Sequence, residues 1–171
     1  GGNLKLLWIT HRRKSEMSAT TRLGISSALS IRGWTVEFMS PDGDYPVKRS
    51  NRLGRGHRSF TQSVSAALNT MDLSSISVAI VEWTGVEGSS VALAKGSVPW
   101  IMMDRSPPVA TGPIGWFQRK QYDKAWNIAR AQGAGRAVKS AHMATTQSWD
   151  GPSVMVPAGV DIAAFEIASM N

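Results

Sequence analysis

The sequence contains no cysteine, which excludes disulfide bonds, thiol catalysis and cysteine-ligated zinc sites. Long apolar runs are also missing, because the longest spans about seven residues whereas a transmembrane helix needs roughly 20. The glycine-rich phosphate loops of mononucleotide NTPases and of nicotinamide enzymes are absent, and so is the G-x-S-x-G turn of serine hydrolases. The three histidines are scattered, and no two of them have metal-ligand spacing. We therefore expect no metal site and none of these enzyme classes.

Acidic residues are scarce in the first third of the chain. Residues 1–60 hold 11 Lys and Arg against 4 Asp and Glu, whereas residues 61–171 hold 8 of each kind, so the first third carries the whole net charge of +7. The excess is concentrated in His11–Lys14 and Lys48–Arg58. Clustered positive charge predicts an anionic partner, such as phosphate groups or a membrane surface. Solvated basic loops without a partner are the alternative.

The N-terminal stretch carries its basic residues after an apolar segment, which is the reverse of the order in a secretory signal. We expect residues 1–3 to be a flexible lead or a cloning remnant. The expected location is cytoplasmic, with peripheral contact at the inner membrane face as a further expectation.

Strand and helix patterns alternate along the rest of the chain. Buried strands are predicted at short apolar runs, and helices at amphipathic stretches that begin and end at capping residues. The predicted strands are Leu4–Thr10, Thr35–Met39, Ile76–Trp83, Val98–Asp104 and a last one from Ser153; the predicted helices run from Ser15 to Gly33, over Phe60–Asn69, from Gly85 to Lys95, over Ile114–Ala131 and near Arg136–His142. This alternation predicts an α/β protein, a Rossmann-like three-layer domain with a mostly parallel sheet.

Polar side chains follow three of the predicted strands at the point where each strand ends. Ligands of open α/β sheets bind at the carboxyl ends of the strands, so these side chains predict a substrate site. The first loop also leads into a helix N-terminus, which suits a phosphate; an ordinary basic surface loop is the alternative. The predicted substrate-binding residues are His11, Arg12, Ser15 and Ser18 after the first strand, Glu82 and Trp83 after the third, and Arg105 after the fourth.

Asp104 is the predicted catalytic residue. It ends the strand "WIMMD" and precedes "RSPP", in which two prolines fix an extended segment. A carboxylate held in this way can orient a sugar hydroxyl or act as a base. A surface turn without function is the alternative. Glu82 is a second candidate for the same role. The alternative for Glu82 is a carboxylate that accepts hydrogen bonds from backbone N–H groups at the start of the next helix.

The stretch "VMVPAGVDIAAF" at residues 154–165 resembles the "NGVD…F" segment of retaining GT-B glycosyltransferases of the family 4 type. Four other pieces resemble motifs of that family in the same order along the chain: "GISSALSIRGWTVEFMSP", "SVAIVEWTG", "VPWIMMD" and "AHMATTQS". This chain departs from the family at Ala158, where the family has Asn, and in the first loop, "HRRKSEMS", where the family has a Gly-Gly pair.

The resemblance implies that residues 4–161 are the N-terminal, acceptor-side half of a GT-B architecture. Gly159, Val160 and Asp161 would form the interdomain hinge, and residues 162–171 would begin the connection to a missing C-terminal donor domain. Such an enzyme transfers a sugar from a nucleotide-diphosphate sugar to a sugar or lipid-linked acceptor with retention. The half described by this sequence would be inactive alone and would bind no cofactor.

Two other functions are open. One is a stand-alone basic α/β module that binds an anionic membrane surface or a phosphate ligand through Lys48–Arg58, Arg119, Lys120 and Lys124. The other is a fragment of a GT-B sugar-nucleotide epimerase. Nucleic acid is not an expected partner, because the sequence signatures of nucleic-acid-binding folds are absent.

Overall fold

Strands and helices alternate along the chain in the computed structural model, which describes residues 4–13, 22–49, 55–104, 108–138 and 149–155. Short 3-10 turns, Leu73–Ser75 and Trp83–Gly85, precede the fourth strand and the third helix. The strands are β1 (Leu4–Ile9), β2 (Trp34–Ser40), β3 (Tyr45–Pro46), β4 (Val78–Glu82), β5 (Trp100–Asp104), β6 (Gly135–Val138) and β7 (Ser153–Met155), and the helices are α1 (Arg22–Ile31), α2 (Arg55–Thr70), α3 (Val86–Lys95) and α4 (Gly112–Ala131).

The strands form one parallel sheet with the order β3-β2-β1-β4-β5-β6-β7. β1 lies at the centre, with β2 on one side and β4 on the other. The chain first moves outward from β1 to β3 and then returns to start again at β4, so the winding reverses between β1 and β4. In doubly wound sheets, this switch point opens a crevice at the carboxyl ends of the two strands.

Both faces of the sheet are covered by apolar side chains. Successive residues of β1 point to opposite faces because side chains alternate along a strand. Leu7 and Ile9 belong to the core shared with α2, α3 and α4. Leu6 and Trp8 belong to the core on the α1 face, where the Trp8 ring stacks on Phe38 at 5.7 Å between ring centres.

Close packing between α2 and α3 depends on small residues in α3. A Cβ atom at Gly88 would lie 2.7 Å from the Thr61 carbonyl oxygen of α2. Ser89 and Ser90 are buried beside it. The two helices can therefore approach closely beside the switch point. This close packing holds the start of α3 against the sheet.

The parallel α/β architecture confirms the fold class that the sequence predicts. One helix prediction was wrong: the segment near Arg136–His142 was expected to be helical, but Gly135–Val138 is strand β6, paired with β5 and β7. Sheet pairing on both sides decides the conformation of this short segment, because strand formation depends on cross-strand neighbours more than on local preference. Residues 139–142 lie outside the described residues.

Element bounds also differ from the predictions. α2 begins at Arg55, five residues before the predicted start, and the two-residue strand β3 stands where only a turn was expected. Of the first predicted helix, the structure describes Arg22–Ile31. The lead at residues 1–3 and the predicted hinge at Gly159, Val160 and Asp161 lie outside the described residues.

Candidate functional site

The carboxyl ends of β1 and β4 are joined by two side-chain contacts across the switch point. The Thr10 hydroxyl donates a hydrogen bond to the Glu82 carboxylate. One residue further along both segments, His11 Nδ1 lies 2.7 Å from Thr84 Oγ1. All four residues are buried. Polar side chains buried as pairs at a strand end are typical of a site that must hold its geometry.

Thr10 also shapes the loop that leaves β1. Its hydroxyl oxygen accepts a hydrogen bond from the Arg12 backbone N–H at 3.1 Å, and its own N–H donates to the Met39 carbonyl at 3.0 Å. The chain therefore turns at a fixed point directly after the strand. Arg12 is partly exposed and Arg13 is exposed, so two cations leave the sheet beside the crevice.

His11 is held from two sides. Its ring is 9% exposed and meets the Phe60 ring of α2 edge-on, at 6.2 Å between ring centres. The Phe60 ring and the Thr84 hydroxyl, which lies next to Nδ1, together set the orientation of the imidazole. This placement at the switch point agrees with the position predicted for His11, whose substrate contact stays a prediction.

Trp83 begins the 3-10 turn between β4 and α3. Its side chain is buried and packs edge-on against Tyr122 of α4, at 5.3 Å between ring centres. The turn lies close to β1, because a Cβ atom at Gly85 would be 3.1 Å from Ile9 Cγ2. Trp83 therefore links the turn to α4, and the sugar contact predicted for it stays a prediction.

Asp104 is fully buried at the end of β5. Its Oδ2 atom accepts hydrogen bonds from the Tyr122 hydroxyl and from Trp126 Nε1, the latter at 3.0 Å, while its buried Oδ1 atom has no hydrogen-bond partner among the residues that the structure describes. Burial raises the pKa of the Asp104 carboxyl, and the two hydrogen bonds oppose that shift. Burial, followed by the contact with Asp104, also raises the pKa of Tyr122.

The structure gives Asp104 a packing role, since its carboxyl joins β5 to the middle of α4. A catalytic role for Asp104 stays a prediction. Arg105, which follows it, lies outside the described residues, as do Ser15 and Ser18 of the first loop.

A charged cluster lies beside the switch point and joins three helices. Glu87 of α3 has its Oε2 atom 3.8 Å from His57 Nε2 of α2 and 3.7 Å from Lys124 Nζ of α4. The neighbouring His57 ring holds the pKa of Glu87 below its ordinary value, with help from the Lys124 charge. The cluster places the beginning of α2 and the middle of α4 on one side of the sheet. Sequence reasoning missed it because its members are far apart along the chain.

Arg136 is a second residue that sequence reasoning missed. It is buried, and its guanidinium lies 5.8 Å from the ring centre of Trp126 and 5.7 Å from that of Trp149. Its Nε donates to the Ser153 hydroxyl of β7 at 2.8 Å. Arg136 thus links the last two strands to the aromatic group beside Asp104. No feature of the sequence marks Arg136 as part of this region, because the segment near Arg136–His142 is predicted to be a helix and not a strand.

The predicted site residues therefore fall into three groups. His11, Glu82 and Trp83 come together at the switch point, with Arg12 at its rim; Asp104 lies one strand away under α4; Ser15, Ser18 and Arg105 are not described. Thr10 and Thr84 complete the arrangement and were missed as site residues. Their signal was present, since both are polar residues next to predicted ones at strand ends.

Within the described part of the chain, no three His, Asp or Glu side chains are grouped closely enough to hold a metal ion. No helix of the same part is long and apolar enough to cross a membrane.

Comparison with known proteins finds similarity at the level of structure but not at the level of sequence. No protein-family model and no curated protein matches this chain. Among solved structures, the glycosyltransferase SnogD from Streptomyces nogalater superimposes with a TM-score of 0.48 and 15% sequence identity. The superposition covers 81% of this chain and 44% of that one, so the chain spans less than half of its neighbour. The fold assignment rests on the parallel strand order described above.

Proposed function

We propose that this chain is the N-terminal, acceptor-side half of a retaining GT-B glycosyltransferase of the family 4 type. The observation that carries the proposal is the pair of buried contacts, Thr10 with Glu82 and His11 with Thr84, at the switch point of a doubly wound sheet. That is where such sheets bind their ligands. The resemblance of the sequence, which runs in order from residue 24 to residue 165, supplies the class of reaction.

The proposed donor is a nucleotide-diphosphate sugar, bound mainly by a C-terminal domain that this sequence does not contain. In the transfer, the anomeric carbon loses its bond to the diphosphate and gains one to the acceptor oxygen, whose proton passes to the leaving diphosphate. Arg12 and Arg13 follow β1 directly after the switch point, and cations at that place would stabilise the negative charge of the leaving diphosphate. His11 and Glu82 would form the wall of the cleft on the acceptor side.

The test is a measurement of nucleotide-diphosphate release by the native-length polypeptide, with a panel of nucleotide sugars and with or without sugar and lipid-linked acceptors. Acceptor-dependent release is expected, and residues 1–171 alone should release none. The His11→Ala variant should lower turnover roughly tenfold or more, because it removes a positioned wall of the cleft. The Ile31→Ser variant, on the exposed face of α1, is the matched control and should not change turnover.

Two outcomes would contradict the transferase. Interconversion of the nucleotide sugar without acceptor would identify the epimerase. Absence of turnover and of binding with every donor would favour a stand-alone basic module. The Glu87 cluster is the observation that favours this second candidate, because it places His57 of α2 and Lys124 of α4 within reach of one carboxylate and so sets both helices on one side.

A further inference from the structure

Four large apolar side chains are exposed together where α4 begins. Val109 is 90% exposed, Ile114 48%, Trp116 49% and Phe117 61%. We call these four residues the α4 patch. Single exposed apolar residues are common on protein surfaces, but several large ones close together in one segment, two of them aromatic rings in contact, mark an interaction surface.

The α4 patch is held in a defined shape. The loop at residues 108–111 folds back on the helix so closely that a Cβ atom at Gly115 would lie 1.9 Å from the Ala110 carbonyl oxygen. Arg119 Nη1 donates to the same oxygen at 3.2 Å. The Trp116 and Phe117 rings meet edge-on at 4.9 Å between ring centres. The loop is therefore packed against the helix at Gly115, and the two aromatic rings of the patch are in contact with each other.

The middle of the same helix is anchored to the sheet. Tyr122 and Trp126 donate to the Asp104 carboxyl at the end of β5. Because α4 cannot shift without breaking these buried hydrogen bonds, the patch keeps its position relative to the carboxyl edge of the sheet. A surface that docks there brings its partner to the edge that carries the switch point.

Two basic side chains lie beside the aromatic rings of the α4 patch. Lys120 Nζ lies 3.9 Å from the centre of the Trp116 ring, and Arg119 is exposed next to it in the helix. The segment from residue 105 to residue 122 contains three basic residues and no Asp or Glu. Aromatic rings flanked by Lys and Arg are typical of segments that lie in the interface between lipid headgroups and acyl chains.

We propose that the α4 patch docks on a bilayer surface with anionic headgroups. Ile114, Trp116 and Phe117 enter the boundary between headgroups and acyl chains, while Arg119 and Lys120 contact the lipid phosphates. A second copy of this chain is a poorer occupant, because two patches face to face would oppose the same positive charges. The proposal does not depend on the glycosyltransferase assignment; if both hold, docking places the site next to lipid-linked acceptors.

The test is co-sedimentation of the chain with two kinds of vesicle, one of phosphatidylcholine alone and one in which about one third is phosphatidylglycerol. Binding is expected only to the anionic vesicles and should weaken as salt is added, since screening reduces the attraction. The double variant W116S/F117S should lower the partition coefficient roughly tenfold or more, because it removes most of the buried apolar area. Lys120→Glu should lower binding to the anionic vesicles as well.

Matched controls distinguish binding through the α4 patch from binding through exposed apolar side chains elsewhere. Ile31→Ser and Val91→Ser remove side chains that are 80% and 75% exposed on other helices, and both should bind like the unchanged chain. Equal binding by W116S/F117S, with its thermal unfolding unchanged, would overturn the proposal. So would self-association that the same double variant abolishes. Binding by residues 1–171 but not by the native-length polypeptide would also overturn it, because another domain would then cover the patch.

Discussion

At the scale of single residues, two carboxyl groups on neighbouring elements have opposite electrostatic environments. Asp104 is buried among aromatic side chains, and burial raises its pKa. Glu87 faces an imidazole and an ammonium group, and these lower its pKa. Desolvation disfavours the charged form, whereas cationic or donating neighbours favour it. The two groups should therefore give stability opposite dependences on pH.

The first prediction concerns Asp104. Because its folded pKa lies above the ordinary 3.8, the folded protein holds this proton more tightly than the unfolded chain does. The stability contributed by protonation is complete below the unfolded pKa and is lost as pH rises through the folded pKa. Asp104→Asn keeps an acceptor for Tyr122 and Trp126 but does not titrate. The free energy of unfolding of the unchanged protein minus that of the variant should therefore fall as pH rises.

Urea denaturation of both proteins at several pH values between about 4 and about 8 measures this difference. A difference that increases with pH would show that the carboxyl is stabilised in its charged form, against the burial described here. Turnover of the same variant in the native-length polypeptide would test the catalytic role predicted for Asp104.

The second prediction concerns Thr10, whose hydroxyl serves Glu82 and the Arg12 N–H at once. Thr10→Val keeps the shape of the side chain and removes both hydrogen bonds, so it should destabilise the fold by about 1–3 kcal/mol. Thr35→Val, at an exposed position of the neighbouring strand β2, should stay within about 0.5 kcal/mol of the unchanged protein. Denaturant unfolding of the three proteins is the measurement, and equal stability of both variants would refute the buried pairing.

At the scale of helices and strands, two glycines in helices should respond in opposite ways to the same substitution. An added Cβ at Gly24 of α1 has no atom of the described residues within 4 Å, whereas one at Gly115 of α4 lies 1.9 Å from the Ala110 oxygen. Alanine is the better helix former where space allows, but it forces the loop away where there is none. The sign of the change in the free energy of unfolding therefore shows whether there is space for a side chain at each glycine.

The third prediction is that Gly24→Ala raises the free energy of unfolding by about 0.5–1 kcal/mol, while Gly115→Ala lowers it by about 1–3 kcal/mol. Thermal and denaturant unfolding measure both changes. Gly115→Ala should also weaken binding to anionic vesicles, since it separates Val109 from the rest of the α4 patch. Stabilisation by both substitutions would mean that the loop does not fold back on α4.

The fourth prediction concerns the cluster that joins three helices. The lowered pKa of Glu87 means that its contribution to stability is present above its unfolded value of 4.5 and is lost as pH falls through the folded pKa. The stability difference between the unchanged protein and Glu87→Gln should therefore be largest near neutral pH and vanish in acid. Denaturation at matched pH values measures it, and a difference that grows in acid would contradict the cluster.

Most elements could be predicted from sequence because apolar runs and capping residues are local signals. β1 and α4 are examples, as each appears within two residues of its predicted bounds. β6 could not be predicted, because four residues are too few to show a strand period and the pairing with β5 and β7 decides their conformation. The Glu87 cluster is non-local in the same sense, since it exists only once three helices have packed.

At the scale of the whole molecule, the parallel sheet could be predicted from the sequence. The polar residues that lie at its switch point could be predicted only in part. His11 and Glu82 are predicted as site residues because they end strands, and the strand order brings both to the switch point. Asp104 is predicted for the same reason, yet Tyr122 and Trp126 of α4 cover its carboxyl group. Sequence alone shows which residues end strands, but the packing of α4 determines which of them reach the crevice.

The central claim is that this chain is one half of a two-domain transferase, and the intact mass of the polypeptide from its native source tests it most directly. A mass of about twice the 18.4 kDa of this chain, with a second α/β domain after residue 171, is the expected result. A native polypeptide of 18.4 kDa would contradict the claim, and the basic membrane-binding module would then be the better account of this fold.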